Sequence, residues 1–112
     1  MRMKKFYFLK VWLVAAMLTV AYSASAYDAA VDGIYYNLNA DAVTASVTND
    51  GSNSETGSYS GEVTIPAEIT VENVKYAVTE IGDMAFANSS GLTSVVIPNS
   101  VTKIGLGAFY LW

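Results

Sequence analysis

An eight-residue pattern that occurs twice limits what this chain can fold into more than any other feature of its sequence. Residues 79–86 (TEIGDMAF) and 102–109 (TKIGLGAF) share Thr, Ile, Gly, Ala and Phe at the same places, 23 positions apart. A second element occurs in residues 63–70 (VTIPAEIT) and again in residues 95–102 (VVIPNSVT). Its copies are 32 positions apart, which is the 23-residue spacing plus nine additional residues, 71–79. A repeat of this length is typical of solenoids, in which each coil buries its apolar face mainly against the next coil. The pattern therefore predicts a solenoid.

The repeat also assigns the interior of this solenoid. Apolar residues at corresponding places in the two units should point inward, while Gly82 permits a turn that a Cβ would crowd. One short helical segment is indicated, residues 83–87, with Asp83 as its N-cap. The predicted core residues of the repeats are Ile81, Ala85, Phe86, Leu92, Val95, Ile97, Ile104, Ala108 and Phe109.

The residues that precede the repeats have the composition of short strands separated by turns. Their apolar and polar side chains alternate, and a polar loop rich in Gly and Ser, residues 49–61, divides them. The expected strands are residues 34–38, 42–48, 62–65, 69–71 and 75–79, the last two forming a hairpin through Glu72 and Asn73. The predicted fold is therefore mainly β: a β-rich N-terminal cap, residues 27–78, leads into a truncated solenoid with short helical turns, residues 79–112.

The first 26 residues have the pattern of a secretory signal peptide. Three of the first five residues are basic, and residues 11–22 follow without a charge. Small side chains at Ala24 and Ala26 predict cleavage after Ala26. Twelve apolar residues fall short of the roughly 20 that span a bilayer, so we expect export and removal of this segment rather than a membrane anchor.

Cleavage would leave a strongly acidic chain. It would keep Lys75 and Lys103 against all ten Asp and Glu residues, a formal net charge of −8. Nucleic acids and anionic membrane surfaces would repel such a chain. The sequence has no Cys and no His, which excludes a disulfide framework, a thiolate zinc site and the commonest acid–base group. We predict no cofactor and no metal site.

Candidate catalytic and ligand-binding groups are few. Residues 49–55 (NDGSNSE) superficially resemble a calcium loop but lack its order of acidic ligands, so a solvated turn is the better interpretation. The acid pairs Asp28–Asp32 and Glu62–Glu68 have no catalytic companion, and we predict that the chain is not an enzyme. Five tyrosines are interpreted as half-buried packing rather than as an aromatic contact surface: Tyr35, Tyr36, Tyr59, Tyr76 and Tyr110.

Residues 79–109 resemble the BspA-like leucine-rich repeats of secreted bacterial proteins. The family's Cys position is the one departure, being Ser89 in the first unit and Trp112 in the second. Residues 27–78 resemble, more loosely, the β-rich cap that precedes such repeats. The positions that match the family's pattern are Ile81, Gly82, Ala85, Phe86, Leu92, Val95, Ile97, Pro98, Ser100, Val101, Ile104, Gly105, Ala108 and Phe109.

This resemblance implies a non-enzymatic module, secreted or at the cell surface, that binds a host or cell-surface protein or a glycan. Two alternatives are a purely structural cap of a longer solenoid and a non-catalytic appendage of a secreted enzyme. Solenoids generally need three or more repeats and a polar terminal cap, whereas residues 108–112 are apolar. We therefore expect a fragment of a longer protein, and self-association through its uncapped C-terminal end.

Overall fold

Short strands joined by turns make up the part of the chain that the structure, a computed structural model, describes: residues 26–52 and 55–112. The predicted signal peptide lies outside these residues except for Ala26. No helix in the described part is long and apolar enough to cross a membrane. The strands are β1 (Ala29–Val31), β2 (Ile34–Asn39), β3 (Thr44–Thr48), β4 (Gly61–Thr64), β5 (Glu68–Val71), β6 (Val74–Ile81), β7 (Leu92–Val96) and β8 (Lys103–Ile104).

The larger sheet has the order β1-β2-β3-β6-β5, with β8 also paired to β6. The pairs β1–β2, β2–β3 and β5–β6 are antiparallel, whereas β6 runs parallel to both β3 and β8. Strand β6 changes partner along its length, because Ala77 pairs with Glu68 while Glu80 pairs with Lys103. The predicted hairpin is confirmed, and Glu72 and Asn73 both adopt the positive φ that its tight turn requires.

The smaller sheet pairs β4 with β7 in parallel. One coil of the solenoid therefore consists of a strand in the larger sheet, a turn, and a strand in the smaller sheet. Strands β6 and β7 form such a coil, and β8 begins the next one. Strands β3 and β4 hold the corresponding places one coil earlier, within the residues predicted as the cap. The predicted boundary between residues 78 and 79 falls inside β6.

The core lies between the two sheets. The predicted repeat residues Ile81, Ala85, Phe86, Leu92 and Ala108 are buried. Val95 and Phe109 are partly buried and pack against this core. Ile97 and Ile104, expected in the interior, are exposed by 38% and 54%. Both isoleucines lie toward the C-terminal face of the solenoid, where no further coil of the described chain covers them.

The prediction of a helix at residues 83–87 is wrong. The segment is a series of turns in which Met84 and Asn88 adopt positive φ values of 59° and 60°, which a right-handed helix does not tolerate. The backbone N–H of Phe86 donates to the carbonyl of Ala108 in the next coil (2.7 Å) rather than within its own segment. The intervening N–H groups of Ala85 and Ala87 donate to Gly82 and Met84 within the segment. Bonds between coils therefore alternate with turn bonds, in place of the helical pattern that the composition favours.

Candidate binding surfaces

A row of polar residues crosses the outward face of the larger sheet. Strand pairing aligns Asn37 of β2 with Ser46 of β3, Ser46 with Glu80 of β6, and Glu80 with Lys103 of β8. The alternate residues Ala45 and Val47 point to the core and are buried, as the two-residue period of a strand requires. We call Asn37, Ser46, Glu80 and Lys103 the polar row.

An irregularity in the sheet opens a shallow groove beside the polar row. The register shifts between Ala45 and Ser46, so that Thr79 is an additional residue in β6. Such β-bulges bend a strand and re-aim its side chains. The groove has a volume of about 150 Å³ and is lined by Asn37, Leu38, Asn39, Thr44, Ala45, Ser46, Thr79 and Glu80. Its amide and hydroxyl groups can both donate and accept hydrogen bonds, and its carboxylate can accept them, which suits a ligand rich in hydroxyl or amide groups.

The ion pair within the polar row is weak. The Lys103 Nζ and Glu80 Oε2 atoms are 3.9 Å apart, and most of the lysine side chain is in solvent. Exposed pairs of this kind contribute about 0–1 kcal/mol. The two charges are therefore available to a ligand at little energetic cost.

A ladder of backbone hydrogen bonds joins the last two coils at the turn that follows β6. The N–H groups of Met84, Phe86 and Asn88 donate to the carbonyls of three residues in the next coil, Leu106, Ala108 and Tyr110, over 2.7–3.0 Å. We call these three bonds the corner ladder. Asp83 adds a side-chain contact, because its Oδ1 accepts the N–H of Leu106 (2.7 Å).

The corresponding donors in the last coil have no acceptor in the described part of the chain. These are the N–H groups of Gly107, Phe109 and Leu111, each 23 positions after a donor of the corner ladder. Large apolar side chains surround them, including Leu106, which is 84% exposed. We call this surface the open end; its exposed side chains are Ile104, Leu106, Tyr110, Leu111 and Trp112.

Aromatic rings form a continuous stack along the solenoid. Neighbouring ring centroids are 4.7–5.8 Å apart, and the rings of Phe86 and Phe109 are nearly parallel, within the range of favourable aromatic pairs. The repeat predicts that Phe86 and Phe109 lie in the core, but the stack contains four further rings. Its members, in order, are Tyr27, Tyr35, Tyr59, Phe86, Phe109 and Trp112.

Tyr59 joins the stack to the larger sheet through its hydroxyl. This group accepts the N–H of Tyr35 in β2 and donates to the carbonyl of Thr48 in β3. Burial raises the pKa of the Tyr59 hydroxyl above its ordinary value. Among the other tyrosines considered above, Tyr36 is buried, whereas Tyr110 at the open end is largely exposed.

The loop that superficially resembles a calcium site satisfies its own carboxylate. Asp50 accepts hydrogen bonds from the N–H and hydroxyl of Ser52 and from the hydroxyl of Ser58. These bonds, first the one from the Ser52 side chain, lower the pKa of Asp50. No group of three acidic or other metal-ligating residues occurs among the residues described. The geometry fits a turn closed by its own side chains.

Comparison with known proteins agrees with the solenoid fold. Residues 62–111 match the family model of a BspA type leucine rich repeat region of six copies. No curated protein sequence matches the chain.

Two solved structures are similar to this chain. A leucine-rich cell surface protein from Faecalibacterium prausnitzii A2-165 is 39% identical over 80% of this chain and 22% of its own, with a TM-score of 0.59. A leucine-rich repeat protein from Bacteroides capillosus ATCC 29799 is 32% identical over 71% of this chain and 55% of its own, with a TM-score of 0.56. The chain thus spans about a fifth of the first protein and about half of the second.

The predicted resemblance and the mainly β, leucine-rich-repeat fold are therefore confirmed. The matched region begins at the second residue of β4 and includes all of β5, upstream of the predicted start of the repeats at residue 79. Residues 62–111 of this chain are therefore a BspA-type leucine-rich repeat region.

Proposed function

We propose that the chain acts as a non-enzymatic binding module, secreted or displayed at the cell surface, whose polar row contacts a protein or a glycan. The polar row is the observation that carries the proposal: four adjacent strands present hydrogen-bonding side chains at one level of an open sheet face. A similar protein is a cell surface protein, which supports the location.

The test is a binding screen of the chain without its first 26 residues. Purified host surface proteins and an array of glycans serve as probes, and the double variant Asn37→Ala/Ser46→Ala should lose at least tenfold in affinity for any probe that binds. The matched control is Thr93→Ala/Ser94→Ala, which removes polar groups from β7 in the smaller sheet. Equal binding by the polar-row variant and the wild type would contradict this role.

Export is part of the proposal. Cleavage after Ala26 would leave Tyr27 as the first residue. Mass spectrometry of the protein recovered from the medium or the cell surface should find this N-terminus. Recovery of the chain with Met1 in the membrane fraction would contradict export as a cleaved protein.

The open end supports a second candidate function, that of a structural start for a longer solenoid. Its three N–H donors lie where a further coil would supply carbonyl acceptors, as the corner ladder does one coil earlier. Where no such coil is present, we propose that copies of the chain associate through the exposed apolar side chains of this end.

A two-fold symmetric dimer formed by two open ends would be weakened by unpaired hydrogen-bond donors. Isologous contact places the same surface on both sides, so N–H groups would face N–H groups. The carbonyls of Gly107 and Phe109 already accept bonds from Tyr110 and Trp112. Such a dimer would bury apolar area yet leave its donors unpaired, and we expect it only at micromolar concentration or above.

A further inference from the structure

Strand β4 has a free edge. Among the described residues its only strand partner is β7. The N–H of Gly61 donates to Gly91 and that of Ile65 to Val96, both in the β7 coil. Successive residues of a strand direct their backbone groups to opposite edges, so the N–H and C=O groups of Glu62 and Thr64 point away from β7. On that side of β4, no donor or acceptor of the described chain pairs with them.

A groove runs along this free edge. Its volume is about 330 Å³, and β4 and the residues just before it face the turn that joins β1 to β2. Ile34, Tyr59 and Val63 lie beneath the groove and are almost completely buried, so its accessible lining is mainly polar. Asp32 and Glu62 are part of this lining. The unpaired backbone and two acidic residues thus lie together.

Among the described residues, no cation lies beside either carboxylate. The ion pairs in the described residues join Lys75 to Glu68 and Lys103 to Glu80. Those are the two lysines of the chain after residue 26, and neither contacts Asp32 or Glu62. Burial and then the charge of Asp32 raise the pKa of Tyr36 to about 12. A partner that enters this groove therefore gains by being positively charged.

We propose that the free edge of β4 binds an extended basic peptide segment as an additional strand. The backbone of the peptide pairs with Glu62 and Thr64, and its Lys or Arg side chains meet Asp32 and Glu62. Main-chain pairing of this kind supplies affinity, and side chains supply specificity. None of these residues belongs to the polar row, so this site can bind whether or not the polar row does.

The probe is a fluorescent hexapeptide of alternating valine and lysine, titrated with the chain lacking residues 1–26 and followed by fluorescence anisotropy. We expect saturable binding that weakens as salt rises. Asp32→Asn and Glu62→Gln should each weaken binding about fivefold, the effect of an exposed or partly exposed charge pair. The control Glu72→Gln removes the same charge from the exposed β5–β6 turn and should change affinity less than twofold.

A second pair of probes separates strand addition from simple charge attraction. The same hexapeptide with alternate backbone nitrogens methylated keeps its charge but cannot pair as a strand, and it should bind at least tenfold more weakly. Amide exchange by NMR should show protection of Glu62 and Thr64 when the unmethylated peptide binds. Equal binding of both peptides, an equal loss in the Glu72→Gln control, or no binding of the basic peptide would each overturn the proposal.

Discussion

Phe86 is the residue on which the interior of the solenoid depends most. Its side chain is fully buried and lies between the rings of Tyr59 and Phe109, so it joins the aromatic residues of three coils. The Phe of the repeat therefore has a physical role beyond filling volume, because each copy supplies one step of the aromatic stack.

Phe86→Ala should destabilise the chain by about 3–5 kcal/mol, since it removes a large buried ring and leaves a cavity. Domains of this size have roughly 5–10 kcal/mol in total, so the variant should be largely unfolded or marginal. Urea denaturation followed by circular dichroism measures the change, with Phe86→Leu as a milder control. A midpoint within experimental error of the wild type would show that Phe86 is not part of the core.

The hydroxyl group of Ser89 is buried without a hydrogen bond to replace those it would make with water. It is fully inaccessible, and its hydroxyl has no hydrogen-bond partner in the described chain. It also holds the position at which the family's pattern has Cys, a residue that behaves as a small hydrophobe when buried. A polar atom that loses its water without gaining a partner costs about 1–3 kcal/mol.

Ser89→Ala should therefore stabilise the chain, by about 1 kcal/mol. The neighbouring Ser90 is exposed, and Ser90→Ala should leave stability unchanged. Thermal denaturation of both variants decides the matter. A lower melting temperature for Ser89→Ala would mean that the hydroxyl has a partner after all.

Among the structural elements, the turns that follow β6 and β8 each depend on a glycine, which has no side chain. A Cβ at Gly105 would lie 2.6 Å from the backbone nitrogen of Asp83, and a Cβ at Gly82 would lie 3.0 Å from the carbonyl oxygen of Val47. The repeated glycine is thus required because one coil's backbone approaches the next, with the crowding that the sequence predicts at Gly82.

Gly105→Ala should destabilise the chain by about 1–3 kcal/mol, because the rigid backbone of the preceding coil cannot move away. Gly91→Ala is the matched control, since its Cβ would meet the side chain of Ser60 at 3.3 Å, where small adjustments suffice. Urea denaturation compares the two. If Gly91→Ala cost as much as Gly105→Ala, close approach of the coils would not explain the repeated glycine.

At the scale of the whole molecule, the larger sheet is covered at the N-terminal end of the solenoid, whereas the C-terminal end is open. The antiparallel β1–β2 hairpin extends the larger sheet beyond β3, whereas the open end exposes five large apolar side chains and three unpaired donors. An edge of this kind favours association.

The chain can be extended after Trp112 by two further copies of residues 90–112 and a polar turn. We expect this extension to raise the stability of the chain and to yield a monomer. The reason is that the first added coil would continue the 23-residue register and cover the open end. The unextended chain, without residues 1–26, should self-associate at micromolar concentration despite its charge of −8. Sedimentation velocity measures both. A control extension offset by one residue should not produce the monomer. A monodisperse monomer of the unextended chain would contradict association at the open end.

The sequence by itself determined the solenoid and its period. Ile81 and Phe86 are buried because a coil lies on either side of them, whereas Ile104, which corresponds to Ile81 in the last coil, is 54% exposed. The repeat also carries the family resemblance, because its glycine and phenylalanine positions reflect the close packing of one coil against the next.

Only the tertiary structure decided which backbone groups pair. Composition favours a helix at residues 83–87, but Met84 and Phe86 donate to the following coil instead. Strand β3 lacks the repeated motif and yet takes a coil position beside β6, and the aromatic stack reaches Tyr27 through side chains far apart in sequence. The physical reason is that periodicity and polarity are local properties of a chain, whereas the partner of a hydrogen bond or of a free strand edge is set by which segments the fold brings together.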